Sequence, residues 1–285
     1  MTTAVATRGV AATRARGVAP GRLLMYGCAV LITLFMLTPV YLIALAAFSP
    51  AAAIFDYPHA LVPTSGLSFD NVRFFLTFQG IIPALLRSLA VGGLTVVISL
   101  VLGCPAGYAL ARYWFRGKDL TQLLLVNVRA IPMVIISIPL LVTFIEWNLN
   151  DTVWSVALVH GAITLPLTIL ITASVFLRVP AEWEEAAMSL GTSRVGAVLR
   201  VVLPNSVPGL AAAALFAFVT SWNEVFVAVI LTLRNPTLPA ALVQQLSDSP
   251  LQFRFAGGLC LTVPAFVFIF FMRPYLFSAF RGAAR

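Results

Sequence analysis

The stretch EEAAMSLGTSRVGAVLRVVLPN fills Glu184–Asn205 and lies between two long apolar segments. Its residues predict two short amphipathic helices joined at a bend. Pro180 suits a first helical turn, where its missing N–H has no intrahelical bond to lose. Glu182, Glu184 and Glu185 follow, where the positive end of a helix dipole stabilises carboxylates. Trp183, Ala186, Ala187 and Leu190 make an apolar stripe at helical spacing. Gly191 can adopt the left-handed conformation that ends a helix cheaply. Thr192 or Ser193 can cap the next helix. Val195, Val198, Leu199 and Val202 give that helix its own stripe, and Pro204 is expected to stop it. A hairpin of this kind could rest on lipid headgroups, but its three acidic residues would then face anionic lipid, which is unfavourable. The other reading is a rigid docking knob whose polar face meets another protein.

Outward from the hairpin, the chain reads as membrane. It has 285 residues, of which 60% are hydrophobic and 10% charged. Soluble domains carry about a quarter charged residues, so the bilayer is taken as the solvent. Six apolar runs reach the roughly 20 residues a span needs: residues 23–48, 88–111, 120–144, 153–178, 207–233 and 256–280. Prolines 39, 105, 132, 139, 166 and 264 fall inside these runs and predict kinks. The expected fold is all-α, a polytopic membrane protein with six transmembrane helices and one helical hairpin over about residues 180–204. Residues 1–22 read as a basic tail carrying Arg8, Arg14, Arg16 and Arg22, and residues 23–285 as the membrane domain. The first apolar run exceeds the roughly 7–15 residues of a signal-peptide core, so it is read as a retained helix. IIPALLRSL at 81–89 predicts a short helix along the membrane surface.

Charge sets the orientation. With the N-terminus inside, 13 of the 18 Lys and Arg residues fall in cytoplasmic segments and 4 outside, with Arg129 inside a span. That asymmetry places both termini and the hairpin on the cytoplasmic face. The net charge of +8 is distributed over span ends rather than gathered on one polar face, so nucleic acid is excluded as a partner. The lipid of the bilayer is a partner in its own right.

The hairpin carries a resemblance. Glu185-Ala186-Ala187, three residues, Gly191, nine residues, Val201, one residue, then Leu203-Pro204 resembles the EAA motif of bacterial ABC-importer permeases, E-A-A-x3-G-x9-I-x-L-P. Every spacing matches, and Val201 stands for Ile. The resemblance implies that this loop contains a coupling helix seated in a cleft of an ATPase subunit. It also implies a second, non-identical permease, two ATPase subunits, and an exterior solute-binding protein. No GxxxxGK[ST] sequence occurs here, so ATP and Mg are expected on the ATPase subunits and no cofactor or catalytic site on this chain.

FVTSWNEVFVAVI places Trp222, Asn223 and Glu224 inside the fifth apolar run. An ionisable group near mid-bilayer costs on the order of 2.5–3.5 kcal/mol on insertion scales, so Glu224 is expected to face a cavity or a partner. Arg129 sits about 9 residues into its span and Glu224 about 17 into its own, a difference of level of roughly 12 Å that argues against a direct pair. A structural contact and a place in a substrate pathway both remain open. For the second, Asn and an acid can bond sugar hydroxyls while an aromatic face covers the C–H side of a ring. About 100° per residue lets Asn223 and one neighbour share a cavity. WNE here, Arg116-Gly117, and LNDT at Leu149–Thr152 resemble carbohydrate-uptake permeases of the maltose and glycerol-phosphate type. Ser189-Leu190-Gly191-Thr192, Arg87 before Ser88, and SAFRGAAR at the C-terminus depart from that branch's usual residues. The implied function is import of a sugar, oligosaccharide or polyol across a bacterial inner membrane. The other readings are an ion-coupled carrier and a membrane scaffold without an ATPase.

The remaining candidate groups are sparse. Cys28, Cys104 and Cys260 lie singly in apolar runs and read as buried, inert thiols. His59 and His160 lack a second ligand at metal spacing. Gly92, Gly93, Gly103 and Gly107 in the second run predict close helix packing.

Overall fold

A computed structural model describes residues 20–50, 61–62, 66–245 and 249–283. His59 and most of the basic tail lie outside the described residues, and Pro20–Arg22 already belong to the first helix. The described residues form helices and connecting turns. These are α1 (Pro20–Ala47), α2 (Asp70–Thr77), α3 (Ile81–Arg112), α4 (Lys118–Asn127), α5 (Met133–Glu146) and α6 (Val153–Leu177). Then come α7 (Ala181–Ser189), α8 (Arg194–Ala197), α9 (Leu203–Asn223), α10 (Phe226–Leu231), α11 (Leu238–Gln245) and α12 (Leu251–Ala283).

Five helices are long and apolar enough to cross a bilayer, and six spans are reached when α4 and α5, bent by 87° to each other, are counted as one broken span. The bend corrects the simple kink expected at Pro132. Pro132 has extended backbone (ψ 117°) and no N–H, so the α4 ladder ends in a short 3-10 turn, Val128–Ala130, and α5 restarts at Met133. Pro39, Pro105, Pro139, Pro166 and Pro264 all lie inside continuous helices.

Two further expectations change. Residues 81–89 are not a separate surface helix but the first turns of α3, because Pro83 occupies a first-turn position where no N–H is required. The short helix ahead of the span is α2, which buries Phe75 against Phe253 of α12, ring centroids 4.9 Å apart. The fifth run is also not one helix. It stops at Asn223, Glu224 is extended (ψ 117°), and α10 resumes at Phe226.

The centre of the bundle is the α3–α6 pair, crossed by α9. Glycine brings the backbones together: a methyl on Gly107 would stand 2.8 Å from the Ala173 backbone nitrogen, and one on Gly103 2.8 Å from Thr168 Cγ2. Hydroxyls stitch the same seam, with Thr172 donating to Gly103 O at 3.0 Å and Ser99 within 2.6 Å of Thr164. Such small-residue contacts and cross-helix hydrogen bonds hold helices together where lipid removes the hydrophobic drive. Outside this centre, α1, α4, α5 and α12 expose Leu31, Phe35, Leu123, Ile135 and Phe270, each at least 58% accessible. An apolar exterior of that extent needs an apolar solvent.

Candidate functional site

The hairpin is built as its residues dictate, with two changes. α7 ends at Ser189 with Leu190 as its C-cap, and Gly191 takes φ +92°. Its N–H donates to Met188 O at 2.9 Å and the Thr192 N–H to Ala187 O at 3.1 Å. This pair of bonds is the Schellman closure that satisfies the last carbonyls of a helix. Ser193, not Thr192, caps α8, its Oγ accepting from Gly196 N at 3.2 Å. Pro180 is the residue before α7 rather than inside it.

Pro204 does not stop the second helix. Val198–Val202 form a π turn, and Leu203 and Pro204 then open α9. A wider turn leaves room for a ring that would otherwise strike the carbonyl four residues back, and it uses no donor from Pro204. The second arm of the hairpin is therefore one continuous rod with the fifth span, Arg194–Asn223.

The root of the hairpin is clamped to α3. Glu184 is 5% exposed; it accepts from the Tyr108 hydroxyl and pairs with Arg112 Nε at 3.3 Å. Arg112 Nη2 also donates to Val179 O at 2.8 Å. Arg194 donates to the Tyr113 hydroxyl at 2.9 Å and lies over that ring at 5.5 Å. Phe176, Val202 and Leu210 close the apolar floor beneath.

Turning Glu184 inward turns its neighbours outward. Trp183, Leu190, Val195 and Leu199 are 51–88% exposed, so the knob presents an apolar tip rimmed by Glu182 and Glu185 rather than the polar face expected. The motif residues divide along the same line. Glu185, Ala186 and Gly191 lie on the exposed tip, Ala187, Val201 and Leu203 are half-buried at the base, and Pro204 is exposed where the rod begins.

The break in the fifth span separates the three adjacent residues predicted there. Trp222 is 4% exposed; it stacks on Phe218 at 5.7 Å and donates from Nε1 to Leu261 O of α12 at 2.9 Å. It holds two spans together. Asn223 is exposed at the end of α9. Glu224 sits in the break, where one carboxylate oxygen, Oε1, accepts from Val227 N at 3.4 Å at the start of α10. Arg129, at the break of the third span, lies 5.8 Å over Phe216 of α9. No ion pair joins it to Glu224 among the described residues.

Residues 99–281 match the model of a family described as the binding-protein-dependent transport system inner membrane component. The chain belongs to this family. The permease is 31% identical over 258 residues to the trehalose transport system permease protein SugB of Mycobacterium tuberculosis, covering 88% of this chain and 93% of that one. It is 30% identical over 245 residues to the arabinooligosaccharides transport system permease protein AraQ of Halalkalibacterium halodurans, covering 84% and 87%. Its fold matches a chain of a bacterial ABC transporter involved in the import of the acidic polysaccharide alginate, with a TM-score of 0.70, 19% identity, and 91% and 99% coverage.

Sequence reasoning missed two structural features of the permease. The Glu184 clamp could have been sought, because Tyr108 and Arg112 are four residues apart and share one face at the end of α3. The polar interior between α6 and the span-five break, reached by His160, gave no local signal.

Proposed function

We propose that this permease lines half of the membrane pathway of an ATP-driven importer for a sugar, oligosaccharide or polyol. The observation that carries the reading is mechanical. An unpartnered apolar knob is clamped at its root to α3 and continues without interruption into the fifth span. A push on the knob therefore moves a transmembrane helix instead of bending a loop.

The occupant of the knob is an ATPase subunit, which binds ATP and Mg and closes against its twin. Glu185, Ala186 and Gly191 meet it, and Val201, Leu203 and Pro204 transmit its motion. A second, non-identical permease completes the pathway, and an exterior binding protein delivers the solute. The excess of Lys and Arg at the hairpin end supports a cytoplasmic side for that end and for both termini. Carbohydrate is favoured by the two relatives named above and by the residues at the span-five break. There Asn223 offers a donor and an acceptor at membrane depth, where facing lipid would leave both unsatisfied. Asn223, rather than Trp222, is the pathway group.

Replacing Asn223 with alanine tests the reading. Removing one hydrogen bond to a neutral hydroxyl, worth about 1 kcal/mol, should lower solute uptake into membrane vesicles about fivefold with the assembled complex unchanged in amount. Uptake equal to wild type would remove Asn223 from the pathway.

A further inference from the structure

A cavity lies between α3, α6, the span-five break and the start of α11. Ser88, Val91, His160, Ser221, Glu224 and Thr237 are among its walls. It has about 190 Å³ of empty space, its open mouth included. Three buried polar atoms on its walls have no hydrogen-bond partner in the protein: His160 Nε2, Glu224 Oε2 and Thr237 Oγ1. His160 is 1% exposed and Thr237 4%. Leaving one such group unpaired is costly, and three around one void is not a packing accident.

The other atoms of the cluster are already committed. His160 Nδ1 lies 2.8 Å from Ser221 Oγ, which in turn lies 3.2 Å from Thr95 Oγ1. Ser88 Oγ accepts from Leu238 N at 2.7 Å. Glu224 uses Oε1 on the α10 backbone. His160 Nε2, Glu224 Oε2 and Thr237 Oγ1 are left as polar atoms of lining residues without a partner in the protein.

We infer that this cavity is a built site for one hydroxyl-type oxygen, supplied by a water molecule or by one hydroxyl of the translocated solute. The enclosed part has room for about one water-sized group. When Glu224 is a carboxylate, the ligand donates to Oε2. It must also answer His160 Nε2, which donates in one tautomer and accepts in the other. A water molecule does both in either tautomer, and a solute hydroxyl, with its single hydrogen, does both when Nε2 carries the proton. A carboxylate at Glu224 repels an anion, and among the described residues no group of three His, Cys, Asp or Glu side chains could hold a metal ion. Once bound, the oxygen ties α6, the break of the fifth span and the residue that precedes α11 into one unit. Occupancy then restrains the segment that must move if the fifth span rocks.

The site rests on its own geometry and not on the carbohydrate reading. A structure of the assembled importer, at a resolution that shows ordered water, locates the ligand directly. A single oxygen within about 2.6–3.2 Å of His160 Nε2, Glu224 Oε2 and Thr237 Oγ1 is expected. Its presence without solute identifies water, and its appearance only with bound solute identifies a substrate hydroxyl. An empty cavity in both states overturns the proposal. Thr237→Val gives an independent test whose sign decides. If Thr237 bonds a bound oxygen, the isosteric valine should speed hydrogen exchange of the residue 238–242 amides in the intact complex about three- to tenfold. Exchange that is unchanged or slower would mean that valine has only relieved an orphaned hydroxyl, and the site would be refuted whether or not the solute is a sugar.

Discussion

Gly191→Pro should abolish uptake and release the ATPase from detergent-solubilised complexes. Gly191 sits at φ +92°, which proline cannot reach, and its N–H makes one of the two bonds that close α7. The substitution removes both the turn and the donor, so the tip of the knob loses its shape while the spans keep theirs. Uptake is expected to fall more than a hundredfold, because coupling is lost and not merely weakened. Gly191→Ala keeps the N–H and meets open space, so only the left-handed backbone is penalised, by about 1 kcal/mol. It should keep most of the uptake. Two variants with the same low activity would mean that bulk at the tip matters and the turn does not.

The second large effect is expected at the root. Glu184→Ala leaves Arg112 with its side chain 13% exposed and its acidic partner gone, and removes the acceptor of the Tyr108 hydroxyl. Breaking a buried pair from one side costs about 3–5 kcal/mol. Part of this cost falls on the joint between α7 and α3 and part on global stability. Thermal unfolding of the permease in lipid nanodiscs should shift down by several degrees. ATP hydrolysis by the complex should continue without uptake, because the knob is still present but no longer fixed to α3. Glu184→Gln keeps an acceptor for Tyr108 and should lie between wild type and alanine. Equal stability for all three proteins would show that the clamp carries no strain between knob and bundle.

What the sequence made legible, and what it hid, follows from the range of the interactions. The bend at Gly191 and the cap at Ser193 depend on residues within five positions of each other, so the bend was readable and the cap was narrowed to Thr192 or Ser193. The membrane spans were readable because the bilayer imposes one length and one polarity on each. Pro204 was misread because a π turn leaves the apolar stripe intact and changes only the ladder beneath it. The break at Glu224 was hidden by flanking Val and Phe residues, which keep the run apolar through a point where the backbone opens. Its signal was the acidic residue itself, three positions before an N–H that needed an acceptor. The inward turn of Glu184 depends on Tyr108 and Arg112, more than 70 positions earlier, and the pattern around Glu184 itself does not record it. That one contact decides which side of α7 faces out, so the character of the exposed face could not be read before the fold was known.

Photocrosslinking from position 190 tests the central claim most directly. Leu190 is 88% exposed at the tip of the knob. A photoreactive phenylalanine analogue in its place, activated in membranes containing the whole importer, should join the permease to an ATPase subunit, with a yield that changes when ATP and Mg are added. Adducts with lipid alone, or labelling of position 190 by an impermeant reagent applied from outside the cell, would contradict the account.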